Sequence, residues 1–175
     1  MHETAEDLKN LQLLLNRSYE LAGSHLREVA TPDRRISAAQ LIDLMTGVQV
    51  LALATVTADG RPMTGAVDGL FYRARFWFGS SPDSVRIRHL RTRPQVSATH
   101  TRGERLAITV HGRASIVDLE DPLHAGFRAL CLETYGEDWD DWGVSSTYAY
   151  IDPVKMFAVG FDPTPGRGTL PNPGR

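Results

Sequence analysis

Apolar residues recur at helical spacing between charged residues over the first thirty positions of the chain. The recurring positions are Leu8, Leu11, Leu14, Leu15 and Leu26. This period predicts one amphipathic helix over residues 6–29, which the turn-forming Thr31-Pro32-Asp33 ends. A second, shorter helix begins at a capping box of Ser37 and Gln40. Residues 1–47 are therefore predicted to form a helical N-terminal extension.

From residue 49 onwards the pattern changes to short runs typical of β-strands. The predicted strands are 49–57, 61–71, 75–79, 95–101, 105–117, 148–151 and 155–161. Asp59-Gly60 predicts a hairpin turn, because positive φ angles there match the twist of the strands. These strands do not alternate with helices throughout, so the pattern favours an antiparallel α+β fold with a closed or nearly closed barrel.

Two further helices are predicted between the strands. One begins with Ser81 as its cap and Pro82 at its first position, and ends near residue 92. The other runs from residue 121 to residue 135. The acidic stretch 137–143, with Trp139 and Trp142, is predicted to be a loop, either a plain surface loop or a lid. The proline- and glycine-rich residues 163–175 predict an irregular tail.

Composition narrows the classes of function. A chain of 175 residues suits one domain, and its net charge of −2 favours neither a nucleic-acid nor a membrane partner. A single cysteine and an acidic N-terminal sequence without the order of a signal peptide favour the cytoplasm. The six histidines and the cysteine show no spacing expected of a metal site.

The candidate chemistry lies where the strand 75–79 turns directly into a helix. The backbone N–H groups at a helix N-terminus attract anions. Ser80, Ser81 and Ser84 add hydroxyl donors, and Arg86 adds a planar fork suited to two phosphate oxygens. The sequence therefore predicts a site for one phosphate monoester. The alternative is that Ser81 is only a helix cap and Arg86 only a solvated residue.

The order of these segments resembles that of the pyridoxamine 5′-phosphate oxidase-like flavin-binding split-barrel proteins. The matching pieces are the opening hairpin 53–62, the return strand 63–70, the third strand ending at Gly79, Ser84-Val85-Arg86, Arg93-Pro94, and Gly112-Arg113-Ala114. They cover about residues 50–118. The resemblance implies an α+β fold with an antiparallel split β-barrel, flanking helices and an extra N-terminal helix.

The resemblance also implies a cofactor, FMN or a deazaflavin relative. Ser84 and Arg86 would bind its phosphate, with Ser80 and Ser81 beside them. The backbone of residues 64–67 (Thr64, Gly65, Ala66 and Val67) would run along the isoalloxazine ring. No residue is assigned as a catalytic acid or base, because the cofactor carries the redox chemistry in this class.

Two departures from the family pattern argue against a vitamin B6 substrate. Gly65 and Leu70 stand where the pyridoxamine phosphate oxidases themselves carry Arg and Lys, and residues 166–171 lack their closing arginine motif. We therefore expect a flavin-dependent oxidoreductase that passes electrons between the flavin and a nicotinamide or small organic substrate. The alternative is a non-catalytic binder of flavin, deazaflavin or haem.

The strands also suggest a homodimer with flavin sites along its interface. Between residues 49 and 78 apolar side chains occur on both faces of the strands, and one small barrel can bury only one face within itself. The other face needs a helix or a second chain.

Overall fold

The structure is a computed structural model that describes residues 2–143 and 145–161. Its helices are α1 Ala5–Glu20, α2 Ser24–Val29, α3 Ala38–Leu44, α4 Val85–Thr92, α5 Ala125–Tyr135 and α6 Trp139–Trp142. Its strands are β1 Gln49–Val56, β2 Pro62–Tyr72, β3 Arg75–Ser80, β4 Gln95–Thr101, β5 Leu106–Val117 and β6 Thr147–Gly160. The predicted tail, 163–175, lies outside the described residues.

The six strands form a closed antiparallel barrel in the order β1-β2-β3-β6-β5-β4. Side chains alternate between the two faces of each strand, so every second residue points into the barrel. The interior is filled by large apolar side chains, among them Leu51, Leu53, Phe76, Phe78 and Ile108. The prediction of an α+β fold with an antiparallel barrel and flanking helices is confirmed.

The barrel wall parts between β2 and β3. Strand β2 pairs with β1 from Pro62 to Gly69, but with β3 only from Gly69 to Tyr72. The end of β3 pairs instead with β6, where Ser80 faces Thr147. In the described chain, the β3-facing edge of residues 62–68 therefore has no strand partner, and an opening remains beside it.

Helix α1 covers the second half of β6. The hydroxyl of Tyr19 donates to the carbonyl of Ala158 at 2.7 Å and accepts from its N–H at 3.0 Å. The hydroxyl of Ser18 accepts from the N–H of Met156 at 3.0 Å. These bonds satisfy backbone groups that a further strand would otherwise pair, so α1 closes this edge of the sheet.

The predicted single helix over residues 6–29 is wrong, because it is divided between α1 and α2. Gly23 has an extended conformation (φ −64°, ψ 160°) between the two helices. Glycine is among the poorest helix formers, so it breaks the helix although the leucine pattern continues past it. The capping box of Ser37 and Gln40 at α3 is confirmed.

Replacing Tyr19 by Phe should lower the free energy of unfolding by about 1–3 kcal/mol, because the buried N–H of Ala158 loses its partner; its carbonyl keeps the hydrogen bond from the N–H of Ile36 at 2.9 Å. The matched control is Tyr150→Phe, since the half-buried hydroxyl of Tyr150 has no hydrogen bond within the described residues. Urea denaturation of both variants measures the difference. Equal losses would mean that the hydrogen bonds of Tyr19 contribute nothing specific.

The first hairpin uses a longer turn than predicted. Of the two turn residues, only Gly60 has a positive φ, at +85°. The N–H of Thr57 donates to the carbonyl of Arg61 at 2.9 Å, which leaves three residues in the loop. A three-residue loop with its last residue in the left-handed conformation is a common alternative to the two-residue turn.

The two strands predicted at the end of the described chain are one strand, β6. It pairs along the whole of β5, with one shift of register: His111 faces Lys155, and Gly112 faces Pro153. Val154 is the extra residue of this bulge. A bulge accommodates Pro153, whose missing N–H would interrupt regular pairing, so the proline does not end the strand.

A second apolar cluster lies outside the barrel, where α5 and α6 cover the outer face of β2, β3 and β6. It contains Leu70, Trp77, Phe127, Cys131, Trp139 and Tyr148. The predicted loop over 137–143 is wrong, because it contains α6, whose Trp139 is completely buried. Helices α5 and α6 therefore cover part of the outer apolar face of the strands, for which the sequence predicts either a helix or a second chain as cover.

Among the described residues, no helix is both long enough and apolar enough to cross a membrane.

Candidate functional site

Arg86 spans the opening between β2 and the end of β3. Its Nη2 donates to the carbonyl of Ala66 on β2 at 2.9 Å, and its Nη1 donates to the hydroxyl of Ser80 on β3 at 3.2 Å. The Ser80 hydroxyl in turn donates to Oγ of Ser84 at 3.1 Å. The guanidinium and two serine hydroxyls therefore meet at the place where the barrel wall parts.

The helix behind this site begins three residues later than predicted. Ser84 is the cap of α4, and its Oγ accepts from the N–H of Ile87 at 3.2 Å. Ser81 is not a cap and Pro82 is not the first helical residue. The carbonyl of Ser81 instead accepts from the N–H of Ser84 at 2.9 Å, which forms a turn. Pro82 lies within this turn, which proline favours as much as a helix start.

Two contacts that the sequence did not reveal fix α4 across the end of the barrel. The hydroxyl of Thr55 on β1 lies 2.9 Å from Nδ1 of His89, and Nε of Arg93 donates to the carbonyl of Val56 at 3.0 Å. The partners are more than thirty residues apart in the sequence. The only local signal was their polar character among apolar neighbours, which does not identify a partner.

Gly65 leaves the space that the Arg86 guanidinium occupies. A Cβ atom on Gly65 would lie 3.2 Å from Nη2 of Arg86, closer than most real contacts of this kind. A larger side chain at residue 65 would displace the guanidinium. The glycine that departs from the oxidase pattern is therefore coupled in space to Arg86.

The charge of Arg86 is partly buried and has no acidic counterpart. Burial lowers the pKa of its guanidinium below the usual value. Among residues 2–143 and 145–161, no carboxylate lies within ion-pair distance of it. An anion beside Arg86 would stabilise this partly desolvated cation. The nearby N-terminus of α4 also favours a negative charge.

The predicted site residues lie at different distances from the Arg86 guanidinium. Ser80, Ser84, Arg86 and the carbonyl of Ala66 are joined by hydrogen bonds, whereas Ser81 lies exposed on the preceding turn. Along β2, Thr64 and Ala66 point outward and are exposed, whereas Gly65 and Val67 point toward the barrel. Val67 is buried in the core, so it can offer this site only its backbone.

The free edge of β2 presents backbone groups beside the guanidinium. A residue in an extended strand directs its N–H and C=O to the same edge. Because the carbonyl of Ala66 faces Arg86, the N–H of Ala66 faces the opening as well. The opening therefore contains a cation, two hydroxyls and both kinds of backbone hydrogen-bonding group.

Other reactive side chains contribute little. Burial raises the pKa of the Cys131 thiol to about 12, so this cysteine stays protonated and is a poor nucleophile. Within the described parts of the chain, no group of three or more His, Cys, Asp or Glu residues could hold a metal ion.

Comparisons with known proteins agree on one fold. A conserved hypothetical protein of Mycobacterium tuberculosis has a TM-score of 0.64 at 20% identity, covering 74% of this chain and 88% of its own. HutZ, the haem storage protein of Vibrio cholerae, has a TM-score of 0.61 at 25% identity, covering 70% and 94%. An FAD-binding protein of Mesorhizobium loti has a TM-score of 0.57 at 20% identity, covering 74% and 98%.

Among curated proteins, none is significantly similar in sequence to this chain. The family model of pyridoxamine 5′-phosphate oxidase matches residues 38–161, which is more than half of the chain and includes the whole barrel. The chain therefore belongs to the pyridoxamine 5′-phosphate oxidase family.

Proposed function

We propose that the chain binds FMN, with the phosphate held by Arg86, Ser84 and Ser80. The observation that carries this proposal is the partly buried guanidinium of Arg86, which bridges the opening and has no carboxylate partner in the described chain. A phosphate dianion would supply the missing charge and accept from the guanidinium and from the serine hydroxyls. Ser81, at the exposed rim, would contribute less.

The free edge of β2 is suited to the polar atoms of a flavin ring. The N–H and C=O groups on this edge can donate to and accept from ring heteroatoms, and the small side chains of Thr64, Gly65 and Ala66 allow a planar ring to approach. Val67 would contribute its backbone alone. A bound flavin supplies hydride and electron transfer, while the residues of this chain position it and exclude water from part of its surface.

We further propose that the loaded protein is an oxidoreductase that passes electrons between the flavin and a nicotinamide or a small organic substrate. A structural neighbour that is described as FAD-binding supports a flavin. The second candidate is a non-catalytic binder of haem or of a flavin or deazaflavin, and the similarity to HutZ, a haem storage protein, favours the haem version. No residue of the site is assigned as an acid or base in either case.

Three measurements distinguish these candidates. Mass spectrometry of the cofactor that co-purifies with the full chain should give FMN, and titration of the cofactor-free protein with FMN should quench flavin fluorescence with micromolar affinity or better. Under anaerobic conditions NADH or NADPH should then bleach the flavin absorbance. Haem binding without FMN quenching would favour the haem-storage alternative, and bound FMN that neither nucleotide nor a small organic reductant reduces would favour a flavin carrier.

We propose a homodimer that uses the outer face of β1. Helices α5 and α6 already cover Leu70 and Trp77, and the large apolar side chains of residues 49–78 that stay exposed are Val50 and Met63. Val50 is 59% exposed, and the small Ala52 and Ala66 lie beside each other on the outer face. A face of small residues beside the exposed Val50 suits the same face of a second copy.

Replacing Val50 by Asp should shift this dimer to monomer, because a charge would be buried at the interface. Val154→Asp is the matched control, since Val154 is also exposed but lies on the bulge of β6. Light scattering over a dilution series measures both, with and without FMN. If the FMN site lies at the interface and contains residues of both subunits, FMN should favour the dimer by mass action. A monomeric wild-type protein that still binds FMN tightly would contradict the shared site.

The cytoplasm is the location we propose, with a small-molecule substrate and no nucleic-acid or membrane partner. The cysteine is free and buried, in keeping with a reducing compartment, and the net charge of −2 gives no attraction to polyanions.

A further inference from the structure

A cavity of about 580 Å³ lies beside the bulge of β6, and we call it the bulge cavity. One wall is formed by Leu21 and Leu26, where α1 gives way to α2, and the other by β5 and β6 with Val154. The family match begins at residue 38, so the first wall lies outside it. Neither Arg86 nor a residue hydrogen-bonded to its side chain lines the cavity, which is therefore separate from the proposed FMN site.

The two walls leave aliphatic side chains open to a ligand. Leu21 is 63% exposed on the helical wall, and Val154 is 65% exposed on the strand wall. Leu26 is half-buried between them and the core. Hydrocarbon that enters the cavity removes its own surface and that of these side chains from water, so the lining favours an apolar chain.

Basic side chains occupy the strand wall beside this lining. His111 of β5 lies directly opposite Lys155 of β6, and Arg113 is two residues further along β5. Because side chains alternate along a strand, His111 and Arg113 project from the same outer face. All three side chains are exposed and line the cavity. Nδ1 of His111 lies 2.7 Å from Oγ of Ser97, which fixes its ring beside β4.

The cations of this wall have no acidic counterpart. Asp152 faces Arg113 across the strand pair, but its carboxylate lies 3.1 Å from Nη2 of Arg75 and accepts from the hydroxyl of Ser115 at 3.2 Å. Among the residues that the structure describes, no carboxylate is within ion-pair distance of Arg113 or Lys155, and no acidic residue lines the cavity. Two unpaired cations on one face repel each other, and an anion beside them offsets this repulsion.

We propose that the bulge cavity binds a carboxylate with an unbranched aliphatic chain. The carboxylate accepts from Lys155 and Arg113, while the chain packs between Leu21 and Val154. The charged head matches the two cations without a partner, and the chain needs no polar contact, which suits the aliphatic lining. The site combines the helical extension of this chain with the bulge of its barrel.

Isothermal titration calorimetry of the full chain with octanoate tests this proposal. One octanoate should bind per chain, with a dissociation constant of about 0.1 mM. Propionate keeps the carboxylate but lacks most of the chain, and 1-octanol keeps the chain but lacks the charge, so each should bind at least tenfold more weakly. Loading with FMN should leave octanoate binding unchanged, so this proposal can fail while the FMN site stands, and the reverse.

Two variants test the two parts of the site separately. Lys155→Gln should weaken octanoate about fivefold and leave 1-octanol unchanged, because it removes one cation only. Leu21→Ser should weaken both ligands about threefold, because it removes part of the apolar wall. Lys9→Gln and Leu13→Ser are the matched controls, since both residues are exposed on α1 outside the cavity.

The controls should bind octanoate as the wild type does, and thermal melts should show that all four variants are folded. An octanoate dissociation constant above about 1 mM would overturn the proposal. Binding of 1-octanol as tight as that of octanoate would overturn it too, as would variants at Lys155 and Leu21 that change octanoate affinity no more than their controls.

Discussion

Replacing Trp139 by Ala should lower the free energy of unfolding by about 3–5 kcal/mol. Trp139 is completely buried in the cluster between α5, α6 and the outer face of the barrel. Its indole N–H donates to the hydroxyl of Tyr148 at 3.0 Å, and the guanidinium of Arg128 lies 5.9 Å from its ring. The alanine variant loses these contacts and leaves a cavity where the ring was.

Trp142→Ala is the matched control on the same short helix. Trp142 is 50% exposed, and its main ring contact is an edge-on approach to Tyr135 at 5.4 Å. We expect this variant to lose no more than about 1 kcal/mol. Urea denaturation followed by circular dichroism measures both. If the two variants lose the same stability, α6 does not anchor the second cluster.

The same cluster explains why the sequence of residues 137–143 predicts a loop although this stretch contains α6. Its acidic residues, between Gly136 and Gly143, resemble a surface loop, and their pattern does not show that Trp139 turns inward. Two glycines leave room for the rings of this cluster: Gly143, four residues after Trp139, and Gly79, which lies next to Tyr148 only in the folded chain. A Cβ on Gly143 would lie 2.2 Å from the Trp139 indole nitrogen, and one on Gly79 would lie 2.8 Å from the Tyr148 ring. These glycines make room for rings, which a sequence pattern does not reveal.

Local signals predicted much of the barrel. Short runs of β-forming residues between turn signals placed β1 to β5 within one residue of their observed ends. Two of the failures, the joining of the last two predicted strands into β6 and the later start of α4, involve contacts distant in sequence, whereas the break at Gly23 is local. Val154 is a bulge because β5 pairs with β6 on both sides of it. Helix α4, which begins after Ser84, is held by contacts between Thr55 and His89 and between Arg93 and Val56.

The candidate site divides in the same way. That Ser80, Ser84 and Arg86 lie near one another could be predicted, since they fall on one short strand-to-helix turn. That Arg86 reaches Ala66 could not be predicted from the residues alone, because it depends on β2 pairing with β3 only from Gly69 onwards, which leaves residues 62–68 free of β3. The space at Gly65 is a further consequence of that register.

Replacing Arg86 by Ala should weaken FMN by roughly ten- to a hundredfold and leave riboflavin almost unchanged. Hydrogen bonds to charged groups contribute about 1.5–3 kcal/mol, which corresponds to that range of affinity. Riboflavin carries no phosphate, so it loses nothing that Arg86 supplies to an anion. Arg86→Lys should lie between the two, because it keeps the charge but cannot bridge Ala66 and Ser80 in the same way. Fluorescence quenching with both ligands measures the affinities.

Arg88→Ala is the control for charge on the same helix, because Arg88 is exposed and should change FMN affinity by less than about threefold. Raising the salt concentration should weaken FMN binding to the wild type more than to Arg86→Ala, since the variant no longer presents the guanidinium to the phosphate. A thermal melt of each variant shows whether the loss of the bond to Ala66 disturbs the fold. Equal losses for FMN and riboflavin would mean that Arg86 acts on the structure of the opening, and the phosphate would then have to bind elsewhere.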